Sequence, residues 1–455
     1  MQDNIGATPK ARIVYVGGGE EARASLAACF ADAGYALVSH EDAGPSAMGR
    51  ADIGLIDLRG RRVSSKKAQS VAAILRKSSP ECAVVILIDS YIDETARKAL
   101  RRYGELVTVL TRPEGLIERC RQILRLRNVA EEAGERLKTL ASLSRLNEFP
   151  PIAAPATPLR VLIAGEAGPT ALAAINALKP ITEQCVCVFS AGQALRAAEN
   201  ARFDAAVFLP TRENDPLMGL ARSLRRHPKH ASMPVIFPLA DPDDAEGYAR
   251  RGANDFILTS HVAADLAAKV TIAARRARLL KTMRRFLEAC EGDGVRDAGS
   301  GAFTATFLSE HGARLCARAD QSGRPMALVA LRIEAKLREQ SEAELGRRAL
   351  HQAARLINRV TRAEDAVARI GPDTFFVMMP ATTEPDAAQA MLRIQGVLEN
   401  TVFRSLDDQL LYGVRVETAA CSRPEGLCIE ECVALGLTAL RDNAALAKTG
   451  SAELV

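Results

Sequence analysis

Arg362 and Asp365 carry complementary chemistry and stand three residues apart in the segment TRAEDAVARIG. A guanidinium presents a planar fork of donors to phosphate oxygens and to guanine O6 and N7, while a carboxylate accepts from guanine N1 and N2. The pair could therefore hold a ligand with phosphate and guanine groups. The alternative is a local ion pair at a helix end, which contributes about 0.3 to 0.5 kcal/mol on an exposed surface. So short a pattern also occurs by chance in an arginine-rich chain.

The elements that precede this pair repeat one pattern. From Arg12 onward, short apolar runs alternate with amphipathic stretches in the order IVYV, EEARASLAACFADAG, ADIGLIDL, CAVVILI and LVTVL. The same alternation starts again near Arg160 with RVLIAG. Alternating strands and helices predict a mostly parallel sheet covered by helices. The first two-thirds of the chain is therefore predicted to be an internal repeat of one α/β domain.

A third unit, which contains the pair, alternates differently. It has a strand MALVALRI, a helix near 342–361, the hairpin AVARIGPDTFFVMMP, a helix at 385–400 and a late strand VRVETAA. This order predicts an α+β domain. Unbroken helical periodicity, then a proline-rich segment, and later a glycine-rich segment indicate the boundaries. We predict domains at 11–125, 158–275 and 296–455, joined by linkers at 126–157 and 276–295.

The composition is that of a globular protein, with 455 residues of which 48% are hydrophobic and 25% charged. Its 60 basic and 55 acidic residues are interleaved, so we expect no nucleic-acid partner. The 10 cysteines and 6 histidines are dispersed without metal-ligand spacing, so we expect reduced thiols and no metal site. No segment reaches the roughly 18 apolar residues that a membrane span needs, and we expect a cytoplasmic protein without membrane insertion.

The two repeats resemble the receiver domains of response regulators, whose fold is flavodoxin-like and doubly wound. In the first repeat the resemblance places Asp57, in GLIDLRG, at the phosphoacceptor position. The other positions of a phosphorylation site differ: Gly17 and Gly18 replace the acidic pair, Asp89 the hydroxyl residue and Arg112 the lysine. Asp57 is a candidate phosphoacceptor, and a solvated relic at a strand end is the favoured alternative.

The second repeat departs further from a receiver. The five positions of its phosphorylation site hold Gly165, Glu166, Leu209, Leu239 and Thr259. We expect no phosphoryl transfer there. A receiver fold without its switch still offers packing faces, so fold-level analogy favours a dimerisation or docking module.

The third unit resembles the GGDEF domain of diguanylate cyclases, an α+β domain of the nucleotidyl-cyclase type. The resemblance rests on the hairpin ARIGPDTFFVMMP, in which the positions of the GGEEF motif are held by Gly371, Pro372, Asp373, Thr374 and Phe375. A proline presets φ at the second position of a turn, so this sequence can keep the hairpin backbone. It does not keep the chemistry of the motif.

Cyclase activity requires carboxylates that converge on metal ions. The resemblance places Leu331 at the first-strand metal ligand and Thr374 at the loop metal ligand. Asp373 keeps a carboxylate without partners and is interpreted as a turn residue. Thr304 and Gln340 stand at the positions that read guanine. We therefore predict that the domain is not an enzyme and holds no catalytic residue, metal or cofactor.

Arg362 precedes Gly371 by nine residues, which is the spacing of the inhibitory cyclic di-GMP site of GGDEF domains. The resemblance therefore implies that Arg362 and Asp365 bind cyclic di-GMP. Arg393, on the helix after the hairpin, matches a position from which related domains supply a second arginine.

The order receiver, receiver, GGDEF-like domain resembles the PleD-type response regulators. With the catalytic positions altered, this resemblance implies a homodimeric adaptor that is recruited to a cell pole when cyclic di-GMP binds. It also implies that protein partners dock on the receiver-like domains and that a cell-cycle regulator is delivered to the ClpXP protease. The alternatives are a phosphorylation-driven receiver scaffold and an active diguanylate cyclase with unconventional ligands.

Overall fold

The chain divides into two compact units in the computed structural model. The first, here the α/β unit, comprises Arg12–Leu126 and Pro151–Met283. The second, here the C-terminal unit, comprises Met1–Ala11, Arg127–Pro150 and Arg284–Val455. The structure describes residues 8–17, 20–40, 50–61, 65–79, 82–89, 92, 94–108, 113–143, 158–211, 215–227, 229–241, 255–289, 295–336, 343–404 and 411–452.

The first half of the α/β unit contains a five-stranded sheet in the order β2-β1-β3-β4-β5, with every pair parallel. Its β-branched runs are buried on both faces, as parallel strands between helices require. Its strands are β1 (Arg12–Gly17), β2 (Ala36–Ser39), β3 (Ile53–Asp57), β4 (Ala83–Ile88) and β5 (Glu105–Thr108). Its helices are α1 (Glu20–Asp32), α2 (Ser65–Ser78), α3 (Glu94–Leu100) and α4 (Pro113–Ser142).

The second half repeats this topology in the order β7-β6-β8-β9-β10, again with parallel pairs. The repeat and its parallel α/β class, predicted from the alternation, are confirmed, and both strand orders are those of flavodoxin-like folds. The strands are β6 (Leu159–Gly165), β7 (Thr182–Val188), β8 (Ala205–Leu209), β9 (Val235–Leu239) and β10 (Asp255–Leu258). The helices are α5 (Pro169–Leu178), α6 (Ala191–Asn200), α7 (Pro216–Arg226) and α8 (Val262–Ala289).

Charged side chains join the two sheets of the α/β unit. Asp255 on β10 is buried and pairs with Arg119 of α4, and with Lys269 of α8 at 2.8 Å. Glu105 on β5 pairs with Arg119 at 3.2 Å and with Arg276 of α8 at 2.6 Å. The β10 and α8 side of the second sheet is therefore covered by the first half of the chain. A docking role for the second repeat must use another face.

The C-terminal unit contains an antiparallel five-stranded sheet in the order β12-β13-β11-β15-β14. Its strands are β11 (Met326–Lys336), β12 (Ala366–Arg369), β13 (Thr374–Pro380), β14 (Phe403–Arg404) and β15 (Leu411–Ser422). Its helices are α9 (Ala305–Ser322), α10 (Ala343–Val360), α11 (Glu384–Glu399) and α12 (Ile429–Ala452). The α+β class predicted for this region is confirmed.

Helices cover both faces of that sheet. Ile357 of α10 and Ile394 of α11 pack in one core with Leu331 of β11. On the other face, a Cβ at Gly436 of α12 would lie 2.8 Å from the ring of Phe376, so α12 approaches β13 closely. None of the helices in the described residues is both long and apolar enough to cross a membrane.

The segments predicted as linkers begin as helices. α4 continues through the start of segment 126–157 as far as Ser142, and α8 continues into segment 276–295 as far as Ala289. Residues 127–142 of α4 belong to the C-terminal unit. The proline-rich residues 144–157 lie outside the described part of the chain.

Candidate functional site

Asp57 ends β3 and is almost completely buried, with 1% of its surface exposed. Arg59 donates to its Oδ1 from Nε at 2.9 Å and to its Oδ2 from Nη2 at 2.6 Å. The hydroxyl of Tyr15 also donates to Oδ2 at 2.8 Å, and burial together with the Asp57 charge raises the pKa of that phenol. The expectation of a solvated relic is wrong, because both oxygens are already bound inside the protein.

Asp89, at the hydroxyl position of a receiver, is a further acidic residue near this carboxylate, and its charge also acts on Arg59. Asp89 accepts from the backbone N–H of Gly60 at 3.0 Å, while Gly18 and Arg112 lie outside the described residues. In the second repeat, a Cβ at Gly165 would lie 2.5 Å from the carbonyl oxygen of Leu209. That approach leaves no room for a metal-binding side chain at Gly165.

The hairpin of the C-terminal unit joins β12 to β13. Ile370 donates its backbone N–H to the carbonyl of Thr374 at 3.0 Å, and Arg369 donates from Nε to the carbonyl of Gly371 at 3.0 Å. Asp373 accepts from the hydroxyl of Thr374 at 2.7 Å. The carboxylate of Asp373 is thus partly used inside the turn, as expected of a turn residue.

The register of β11 against β13 changes which residue faces this turn. Leu331 pairs with Phe375, and both are fully buried in the core. Arg332 is the residue opposite Thr374, on the same face of the sheet. The placement of Leu331 at the first-strand metal position is therefore wrong by one residue, because the side chain of Leu331 points into the core.

Arg332 brings a positive charge to the side chains beside the hairpin turn. Its Nη1 lies 3.3 Å from Oε2 of Glu417, and its Nε lies 3.9 Å from Oδ2 of Asp373. A guanidinium beside a threonine does not fit a divalent cation, which prefers several oxygen ligands. No group of three His, Cys, Asp or Glu side chains in the described residues could hold a metal ion.

Of the two residues predicted to read guanine, one caps a helix and the other lies outside the described residues. The hydroxyl of Thr304 caps α9 by accepting from the backbone N–H of Phe307 at 3.4 Å. Gln340 lies outside the described residues.

Arg362, Asp365 and Arg393 come together at the loop between α10 and β12. α10 ends at Val360, and Arg393 reaches across from α11 to donate from Nη2 to the carbonyl of Val360 at 3.3 Å. The backbone N–H of Arg362 donates to Oδ2 of Asp365 at 2.8 Å. The structure therefore brings the three residues to one loop, and their binding of a ligand stays a prediction.

Arg362 is exposed, and within the described residues its guanidinium makes no hydrogen bond or ion pair. Its charge nevertheless acts on Asp386, whose carboxylate also binds Lys10 at 2.8 Å. Burial disfavours the Asp386 carboxylate, but Lys10, Thr383 and Arg362 outweigh that cost and lower its pKa. Arg362 is thus accessible and close enough to Asp386 for its charge to act on that carboxylate.

Asp365 differs from Arg362 because it is 6% exposed, and its Oδ1 is buried without a hydrogen-bond partner in the described part of the chain. Burial, followed by the neighbouring Glu364 charge, raises the pKa of Asp365 to about 7, although the N–H and guanidinium of Arg362 act in the opposite direction. The contact between the two residues is a backbone N–H bound to a carboxylate, rather than the ion pair weighed from the sequence.

Comparison with known proteins bears on the C-terminal unit alone. Residues 306–419 match the family model described as "Diguanylate cyclase, GGDEF domain". These residues form a GGDEF domain. The hairpin, Arg332 and the Arg362 loop all lie within it.

Solved structures with GGDEF domains are also similar to this chain. The GGDEF domain of DgcB from Caulobacter crescentus, in complex with c-di-GMP, is 16% identical, with 34% of this chain and 91% of that chain covered and a TM-score of 0.31. The diguanylate cyclase SiaD from Pseudomonas aeruginosa, in complex with its activator SiaC, is 21% identical, with 40% and 69% covered and a TM-score of 0.32. No curated protein matches the chain.

Sequence reasoning missed three residues of this GGDEF domain and its packed helix. Arg332 was missed because its role depends on strand register, which an apolar run does not fix to the residue. Glu364, between Arg362 and Asp365, is buried with 2% exposed. Glu132 of α4 acts electrostatically on Asp365 from a distant part of the sequence. The adjacent acids of the TRAED segment could have indicated Glu364, but no pattern indicated Glu132.

Proposed function

We propose that the chain is a cyclic di-GMP-binding adaptor that does not synthesise cyclic di-GMP. The observation that carries the proposal is the loop between α10 and β12. There Arg362 is exposed and its guanidinium binds no carboxylate among the described residues, while Arg393 binds the adjoining helix end. Two guanidinium groups and one carboxylate suit the phosphates and guanine edges of this ligand. The loop lies in a GGDEF domain, at the spacing from the hairpin expected of a product-binding site.

The absence of synthesis rests on Arg332 and Thr374. A guanidinium and a hydroxyl face each other where metal-binding carboxylates are needed. Without metal ions the reacting phosphate would lack its main charge stabilisation. Incubation with GTP and Mg²⁺ is therefore expected to yield no cyclic di-GMP by mass spectrometry, and detectable product would overturn this part.

The adaptor role is an extension of the same proposal. The order of the α/β repeats and the altered GGDEF domain resembles PopA, the non-catalytic paralogue of PleD. On that resemblance we propose a homodimer in the cytoplasm, recruited to the cell pole, whose receiver-like domains dock partners that present a cell-cycle regulator to ClpXP. A pull-down with and without cyclic di-GMP tests it, since partners captured equally in both conditions would contradict ligand-dependent recruitment.

The binding test uses calorimetric titration of the full chain with cyclic di-GMP. Arg362→Ala removes charge-assisted hydrogen bonds worth about 1.5 to 3 kcal/mol, so affinity should fall about 10- to 100-fold. Arg393→Ala should also weaken binding. Arg355→Ala is the matched control, because Arg355 is also an exposed arginine but lies on α10, before its last turn and away from the loop. Equal affinity of the Arg362→Ala variant and the unmodified chain would refute the proposal.

A further inference from the structure

Lys10 and Asp386 form an ion pair beside the proposed ligand loop. The ammonium of Lys10 donates to Oδ1 of Asp386 at 3.0 Å and lies 2.8 Å from its Oδ2. The hydroxyl of Thr383 donates to the same Oδ2 at 2.9 Å. Both oxygens of this carboxylate are therefore occupied by groups of the C-terminal unit, to which Lys10 also belongs.

The strand register brings the start of α11 to the loop that carries Arg362. β12 begins at Ala366, opposite Met378 of β13, and β13 continues only two residues further before the chain leads into α11. Because the two strands are antiparallel, the residues just before β12 lie beside those that follow β13. Asp386, in the first turn of α11, therefore lies at the same end of the strands as the loop.

Arg393 shows which side of α11 faces the loop. It follows Asp386 by seven residues, about two turns of helix, so the two side chains lie on the same face of α11. Its Nη2 donates to the carbonyl of Val360, two residues before Arg362, at 3.3 Å. The face of α11 that carries Asp386 therefore faces the loop, which agrees with the effect of the Arg362 charge on that carboxylate.

Arg362 thus has a carboxylate near it, and yet its guanidinium binds none among the described residues. Guanidinium groups pair readily with carboxylates, through charge-assisted hydrogen bonds. An Asp386 with free oxygens would compete with an anionic ligand for Arg362. The contacts of Lys10 remove this competition, because they occupy both oxygens.

We propose that Lys10 is a positioning residue of the cyclic di-GMP site: by occupying both oxygens of Asp386, it keeps the guanidinium of Arg362 available to the ligand. This inference rests on the proposed function. The phosphodiester groups of the ligand are negatively charged, so an Asp386 without its lysine would also repel them. A residue that precedes the first α/β repeat thereby sets the affinity of a site in the GGDEF domain.

The test is calorimetric titration of the full chain with cyclic di-GMP. Lys10→Ala frees Asp386 to pair with Arg362, so affinity should fall about three- to fivefold. Asp386→Asn alone should not weaken binding. The double variant Lys10→Ala with Asp386→Asn should recover the affinity of the unmodified chain, because no carboxylate remains to capture Arg362. A purely structural role of Lys10 would not be rescued in this way.

Matched controls separate this mechanism from a general change of charge. Lys138→Ala removes a lysine that pairs with Glu135 at 2.8 Å on α4, and it should leave affinity unchanged. Glu384→Gln removes an exposed carboxylate from the same first turn of α11, and it should not rescue Lys10→Ala. Equal rescue by Glu384→Gln and Asp386→Asn would overturn the proposal, because net charge alone would then explain the effect.

The two proposals fail in different ways. Absence of cyclic di-GMP binding by the unmodified chain removes the proposed function and this inference together. Binding that requires Arg362 but is unchanged in Lys10→Ala leaves the proposed function intact and removes only the role of Lys10. If Lys10→Ala weakens binding and Asp386→Asn does not restore it, Lys10 does not act through Asp386 and the positioning role is wrong.

Discussion

At two strand ends of this chain, an arginine side chain pairs with carboxylates. Arg59 binds both oxygens of Asp57 at the end of β3, and Arg332 pairs with Glu417 and Asp373 beside the hairpin turn. A guanidinium neutralises carboxylates as a metal ion would, and in both places its donors are directed at carboxylates of the protein. Both arginines therefore stabilise the charged form of the carboxylates beside them.

Arg332 allows a direct test at the residue scale. The double variant Arg332→Asp with Thr374→Glu places two new carboxylates beside Asp373 and Glu417, and their repulsion should lower the melting temperature without metal. Added Mg²⁺ or Mn²⁺ should restore stability, by about 2.7 kcal/mol at a hundredfold excess over the dissociation constant. Thermal unfolding with and without metal checks this.

The unmodified chain and the single variant Arg332→Ala are the controls, and neither should respond to metal. A double variant that is equally stable with and without Mn²⁺ would show that these positions do not converge on one cation site.

At the scale of elements, one helix packs closely at a glycine, while another has open space at a glycine. A Cβ at Gly312 of α9 would lie 2.4 Å from Cγ1 of Ile429, whereas nothing lies within 4 Å at Gly396 of α11. Gly312→Ala should destabilise the C-terminal unit by about 1 to 3 kcal/mol through overpacking. Gly396→Ala should stabilise it by about 0.5 to 1 kcal/mol, because alanine loses less backbone entropy in a helix.

Denaturant unfolding followed by circular dichroism measures both variants. Equal effects of the two substitutions would mean that α9 does not pack as closely on α12 as the geometry requires.

Much of the architecture could be predicted from the sequence because hydrophobic periodicity reports local burial. The parallel repeats from IVYV onward and the hairpin before TFFVMMP follow from that pattern. The face of the sheet on which the Arg332 side chain lies could not be predicted, since a one-residue shift in register moves a side chain to the opposite face. The burial of Asp365 also escaped prediction, because it depends on which parts of the folded chain cover the loop, and a short polar segment does not show this.

At the scale of the whole molecule, the two units contain buried aspartates with opposite pH responses. Burial disfavours the Asp255 carboxylate, but Arg119 and Lys269 outweigh it and hold its pKa well below the ordinary value. The stability it contributes is present above pH 4 or so and is lost as pH falls further. Asp365 has a raised pKa of about 7, so its contribution is present at acidic pH and is lost as pH rises from about 4 to 7.

This contrast predicts that Asp365→Asn raises the local stability of the C-terminal unit only at higher pH. Between pH 5 and pH 8 the unliganded chain should lose on the order of 2 kcal/mol of local stability that the variant keeps, because the variant has no carboxylate to ionise. Hydrogen exchange of the β12 and β13 peptides, corrected for intrinsic rates, measures it, with Asp373→Asn as a half-exposed control in the same hairpin. Exchange in β10 should not change, because Asp255 stays ionised throughout this range. Protection that rises equally at both pH values in Asp365→Asn would show that burial, and not ionisation, sets the cost of this carboxylate.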